Sequence, residues 1–282
     1  VQHGAFLTFN GLSLGLSAWK AEVDQSVFRE FLAYAEDEKL YSVTGSVGLF
    51  GGVSFEDIMP KFTVIPQDGG DEAITFSGWN GKGTASSESA AYSGAIDLVT
   101  VSAEGVSFEM QSMIFEGSLE GDWTAPMQGD FYNSASQLAI ASINFDMPML
   151  DTNAKLEKLF IDVKTQKSED DSLMDMDITY AVGSIQAPQF SGRDLIVKTE
   201  VNNLERAFFK AYQEASAKPA QMEQSIADII ETKLLPQLQA SPEFNITEMS
   251  GKVAEGNFSG KVMAKVSAVD SLPEPLEDPA FW

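Results

Sequence analysis

Leu173-Met-Asp-Met-Asp-Ile-Thr-Tyr-Ala-Val182 is the stretch on which the fold turns. Met174, Met176, Ile178, Tyr180 and Val182 fall on one side of an extended chain. Asp175, Asp177 and Thr179 fall on the other. This period of two marks a half-buried antiparallel strand. After a turn over Pro188 to Gly192, Leu195, Val197, Thr199 and Val201 repeat the pattern. Asn202 and Asn203 then offer an N-cap, and Leu204, Ala207, Phe208, Ala211 and Tyr212 recur at helical spacing. A second helix is expected from Pro219, with Met222, Ile226, Ile229, Ile230 and Leu234 as its apolar stripe and Pro236 ending or kinking it.

Upstream the signal is almost all strand. Leu12, Leu14 and Leu16 alternate, as do Tyr41, Val43, Val47 and Leu49. Ile96 to Val101 and Val106 to Met113 read as strands about a turn at Ala103 to Gly105. Leu159, Ile161 and Val163 read as another, and Phe244 to Val253 with Phe258 to Val269 as a closing hairpin. One short helix is expected after Asp24, where Val27, Phe28, Phe31, Leu32 and Ala35 share a face. The glycine-rich Gly78 to Gly83 stretch reads as a hairpin loop. The expected fold is α+β: a long, curved, mostly antiparallel β-sheet of many short strands, with a C-terminal pair of amphipathic helices packed on it. Residues 1–150 form the β-rich part with the short helix, and residues 151–282 the sheet with the helical pair. The two parts are also compatible with one continuous domain. Gly52-Val-Ser-Phe-Glu56 recurs as Gly105-Val-Ser-Phe-Glu109, which leaves duplication and coincidence both open.

Composition narrows the function. The 282 residues carry 42 acidic and 18 basic side chains, a formal net charge of −24. Such a surface repels phosphate backbones and argues against nucleic acid as a partner. There are no cysteines, so thiolate nucleophiles, disulfides and Cys-ligated zinc are excluded. No run of about 18 apolar residues spans a membrane. The chain opens on Val1, which reads as a sequence from which a targeting or anchoring segment was removed.

No catalytic motif stands out. His3 is the single histidine, and no Gly-x-Ser-x-Gly elbow accompanies it. Asp170, Asp171, Asp175 and Asp177 have neither the glycine nor the closing glutamate of a calcium loop. Gly78, Gly81 and Gly83 lack the lysine-serine pair of a phosphate cradle. The expectation is therefore a protein with no catalytic residues, no metal and no cofactor. The apolar helix stripe reads first as packing against the sheet. It also supports an elongated apolar groove, lined by Met174, Met176, Phe208, Tyr212, Met222, Ile226 and Ile230, with the methionines as an adaptable lining.

Several short motifs resemble the YdgA-like family of bacterial envelope proteins, a family of unknown function. They are His3-Gly-Ala-Phe6, with Ala5 where the family signature has proline, then Gly192-Arg-Asp-Leu195 and Val201-Asn-Asn-Leu204. Leu234-Leu-Pro236, Ser241-Pro242 and the closing hairpin follow in the family's order. The resemblance implies a Gram-negative, periplasmic, β-rich body anchored to the inner membrane by an N-terminal segment. It brings no catalytic residues. Two functions are carried forward: a non-enzymatic envelope protein that binds or scaffolds an envelope partner, and a carrier of lipid or another apolar ligand. A carboxylate hydrolase stands behind both.

Overall fold

The computed structural model describes residues 2–8, 13–24, 26, 32–35, 39–49, 51–64, 73–103, 105–122, 124, 130–148, 152–169, 171–216 and 222–272. The N-terminal part supplies β1 (Gln2–Thr8), β2 (Ser13–Asp24), β3 (Leu32–Ala35), β4 (Lys39–Gly48) and β5 (Val53–Met59). β6 (Phe62–Val64), β7 (Ala73–Phe76), β8 (Trp79–Ala85), β9 (Ser89–Ala103) and β10 (Val106–Glu120) follow. Long strands then alternate up and down: β11 (Asn133–Met147), β12 (Thr152–Lys167), β13 (Leu173–Ala187) and β14 (Phe190–Glu205). Helices α1 (Arg206–Ser216) and α2 (Met222–Gln239) precede β15 (Glu243–Val253) and β16 (Gly256–Lys265).

All sixteen strands join one antiparallel sheet, ordered β1-β2-β4-β5-β8-β9 and then β10 to β16 in sequence. Near neighbours in sequence are neighbours in space, because short turns can connect antiparallel strands directly. The sheet branches at β9. Residues 90–95 of that strand pair with β8, and residues 99–102 pair with β7, which leads on to β6 and β3. Ser77 seals the fork: its N–H donates to Leu98 O at 2.9 Å, and Leu98 N–H donates to its Oγ at 2.7 Å.

A crease crosses the sheet at the same level. Successive ladders omit one rung there, around Ser112, Ala141, Lys158, Gly183 and Asp194. Ser112, Lys158 and Asp194 take φ of 52°, 55° and 52°, left-handed values that L residues adopt at a cost of roughly 1–2 kcal/mol each. The inward phase flips at this line. Leu159, Ile161 and Val163 alternate on one side of it, and Ala154 and Leu156 on the other. Every neighbouring strand makes the same flip, so register survives and one face stays apolar throughout.

The deeply buried apolar residues gather mainly at one end. Phe131, Met174, Ala215, Ile229 and Leu238 are all below a tenth exposed. Phe131 meets the ring of Phe209 on α1 at 5.5 Å. Gln237 of α2 is also buried; it accepts from Glu205 N–H at 2.8 Å and donates to Asn203 O at 2.9 Å. Arg206 is paired to Asp130.

Several local expectations are corrected. The helical pair is present, but its strand contacts are chiefly with β14, so it docks at an end of the sheet instead of lying along a face. α2 is only weakly amphipathic, because Leu234, Leu235, Pro236 and Leu238 spread around its last turns. Pro236 does not stop it; the helix runs on to Gln239. The N-cap is Glu205, whose carboxylate accepts from Ala207 and Phe208 N–H at 3.0 and 2.8 Å, while Asn202 and Asn203 remain in β14. Leu32 and Ala35 belong to strand β3, paired with β6, and not to a helix. Val27, Phe28 and Phe31 lie outside the described residues. Asp24 accepts from Ser26 N–H at 2.7 Å. Gly78 to Gly83 is no loop: Trp79 to Ala85 is β8, a strand paired on both sides. Both copies of the repeated pentapeptide begin a strand after a hairpin turn, a placement that fits duplication and coincidence alike.

Candidate functional site

Cross-strand partners share a face, so each row of the ladder can be read across the sheet. One row runs Trp19, Gly45, Phe55, Gly83, Tyr92, Gly117 from β2 to β10. Aromatic residues alternate with glycines along it. The glycines are where the rings lie. A Cβ built on Gly45 would overlap the Trp19 indole, and one on Gly83 would overlap the Phe55 ring. In the adjacent row, Gly94 does the same for Trp79, and a Cβ on Gly81 would overlap Asp57 Oδ1 and the Tyr92 hydroxyl. The rings therefore lie flat on bare backbone. Phe55 and Tyr92 sit 5.9 Å apart at 17°, and Trp79 and Tyr92 6.3 Å apart at 25°. Phe115 extends this mosaic, 6.2 Å from Tyr92.

A carboxylate is enclosed within it. Asp57 is 4% exposed. Trp79 Nε1–H donates to its Oδ2 at 2.8 Å, Tyr92 O–H to its Oδ1 at 3.0 Å, and Tyr41 O–H to its Oδ2 at 3.2 Å. Among the described residues no cation pairs with it. Burial and donation to Asp57 push the Tyr92 phenol up to about 12. Burial, then the Asp57 charge, then the hydrogen bond raise Tyr41 as well. Both phenols thus keep their protons at neutral pH and act as fixed donors to an anion.

Beyond Phe115 the same face turns aliphatic. Leu138, Ile161, Tyr180, Val197 and Met249 continue its row to β15. Ser136, Val163, Ile178, Thr199, Ile246 and Val262 continue the neighbouring one to β16. Most of these side chains are half-buried. Tyr180 stays 44% exposed, Phe244 46% and Val262 48%. Sheets normally bury such a face under a second layer. Here, among the described residues, α1 and α2 contact chiefly the end of β14, and no second sheet lies across the face.

The opposite face is mainly polar, with ion pairs such as Lys198–Glu248 at 2.8 Å and Lys155–Glu157 at 2.6 Å. Behind the aromatic row it forms a shallow trough of about 830 Å³, floored by Ser54, Thr84 and Ser118 and edged by Glu56, Lys82 and Glu116. No group of three or more acidic or histidine side chains among the described residues could hold a metal. No described helix is long and apolar enough to cross a membrane.

The residues read as groove lining lie on β13, α1 and α2. Met174 is 1% exposed, pairs with Leu204 and packs at the sheet–helix junction. Met176, half-buried, pairs with Val201 on the apolar face. Phe208 is half-buried on α1, while Tyr212 is 48% exposed and Ile230 on α2 38%. Met222 and Ile226 belong to α2, and their side chains lie outside the described residues. Asp175 and Asp177 occupy the exposed face of β13, where Asp175 accepts from Asn203 N–H at 2.9 Å. The sequence did hold one signal of the aromatic site. Asp57 stands in phase with Val53, Phe55 and Met59, an acid on the apolar side of its strand.

The chain matches, over residues 1–281, the family described as "Bacterial protein of unknown function (DUF945)", and it belongs to that family. No curated protein and no solved structure matches it.

Proposed function

We propose that this bacterial protein is a non-catalytic binding protein of the cell envelope, whose open apolar sheet face takes an elongated apolar ligand of the lipid class. One observation carries the reading: apolar side chains stay in register from β2 to β16 with no second layer over them among the described residues. The neighbouring strand spacing of about 4.8 Å makes that face on the order of 50 Å wide. Monomeric soluble proteins rarely leave contiguous apolar patches larger than a few hundred Å². A flexible acyl chain can follow a twisted, creased surface of this kind. The envelope location rests on the family resemblance, not on the geometry.

A second reading, docking of an extended segment of an envelope protein partner, is favoured by β16. It is an edge strand of 10 residues, and its Met263 is 82% exposed. An open edge is a template for strand addition.

Native mass spectrometry of the protein isolated from bacterial cells without detergent tests the first reading. A lipid-sized adduct released on unfolding is expected. A homogeneous apo mass, together with no uptake of added fatty alcohol, would remove it.

A further inference from the structure

We propose that the ring mosaic over Asp57 is a binding site for an organic ammonium group, the cationic head of the amphiphile whose tail lies on the aliphatic rows. This deepens the reading above and rests on it. Four observations converge. Asp57 is a buried carboxylate held by three neutral donors, Tyr41, Trp79 and Tyr92, with no cation paired to it among the described residues. Two of those donors belong to the mosaic itself. An indole N–H or phenol O–H donating to an anion pushes electron density into its ring, which deepens the negative potential of the ring face that attracts cations.

Among the described residues no helix or second sheet lies over the outer faces of the rings, which leaves them for a ligand. The inner faces of Phe55 and Trp79 rest on Gly83 and Gly94. With Phe55 and Trp79 5.9 and 6.3 Å from Tyr92, a cation seated over either seam lies within about 6 Å of two ring centroids. Charge then selects the head group. Asp57 and a net charge of −24 repel an anionic head, and a neutral one gains nothing from the carboxylate. The mosaic runs without a break, through Phe115, into Leu138 and Ile161. Head and tail subsites are therefore one continuous surface.

The test titrates the wild-type protein with choline and with 3,3-dimethylbutan-1-ol, its uncharged counterpart of the same shape. The indole N–H resonance of Trp79 in NMR spectra at fixed ionic strength is the readout. Choline is expected to shift it and to bind at least tenfold tighter than the alcohol. Equal binding of the two would overturn the proposal, and that comparison needs no variant. Asp57→Asn should weaken choline at least fivefold. Because a change at a buried site can unfold the sheet, Phe55→Leu is run beside it, with the same direction expected. Unchanged choline affinity in a folded Phe55→Leu protein would contradict the proposal. Dodecyltrimethylammonium below its micelle concentration should bind at least tenfold tighter than choline. Equal affinity would overturn the assignment to an amphiphile's head. Uptake of fatty alcohol without any choline response would sink this inference and leave the binding reading standing; absence of both would sink both.

Discussion

The indole of Trp79 occupies the space that a side chain at Gly94 would need. A Cβ on Gly94 would run into Cζ2 and Cη2 of that ring and come within 2.8 Å of Cε2. Gly94 is thus kept bare by an aromatic residue on the neighbouring strand. Gly94→Ala is expected to displace the indole and cost about 1–3 kcal/mol, the usual range for overpacking. Gly52→Ala meets only Ala85 O at 3.9 Å and should be near neutral. Urea unfolding of the two variants measures the difference.

Tyr92 gives the cluster a signature at high pH. Its folded pKa, about 12, lies above the ordinary phenol value of 10.0. A raised folded pKa means that its contribution is whole below pH 10 and is lost as pH rises through 12, because the folded state resists releasing the proton. Tyr41 shifts the same way and adds to the loss. Stability should therefore fall between pH 10 and 12. Tyr92→Phe should flatten part of that fall while lowering stability at pH 8, where its hydrogen bond to Asp57 is missing. Thermal unfolding across this range is the check.

Gln237 ties the helical pair to the end of β14 through Glu205 N–H and Asn203 O. Gln237→Leu leaves both part-buried backbone groups without this partner, at about 1–3 kcal/mol in all. Amide exchange should accelerate over residues 206–216 and 230–240. The central strands β10 to β12 should keep their protection.

The crease supports a prediction of unusual sign. Glycine inside a strand ordinarily destabilises by roughly 0.5–1 kcal/mol. Lys158 already sits at φ 55°, where glycine relieves strain of about 1 kcal/mol or more. Lys158→Gly should be neutral or stabilising. Gly183→Ala, whose Cβ would press on Lys158 Cβ at 3.0 Å, should be destabilising. Chemical denaturation of both variants decides.

Much of the sheet was legible because alternation is local. Leu173 to Val182 and Leu195 to Val201 state their faces residue by residue, and both are strands as read. The family was legible too, from short motifs along nearly the whole chain. The crease was not, because Gly183 and Asp194 flip the phase in mid-strand and a flip looks like a turn or noise. Trp79 to Ala85 was misread for a related reason. Glycine signals a turn by its own conformational freedom, but here Gly81 makes room for the Asp57 carboxylate and the Tyr92 hydroxyl, and Gly83 for the Phe55 ring, all supplied by other strands. The Asp57 cluster draws on β4, β5, β8 and β9, and no spacing along the chain brings those strands together. The helices failed in their placement, since an apolar stripe does not say which end of a sheet it meets.

A photoreactive benzophenone side chain at position 180, on the apolar face, and at position 179, on the polar one, probes the open face most directly. Irradiation of each protein with a radiolabelled long-chain amphiphile should give a covalent adduct at position 180 and next to none at position 179. Equal labelling at both positions, or none at position 180, would contradict a ligand seated on the apolar side of the sheet.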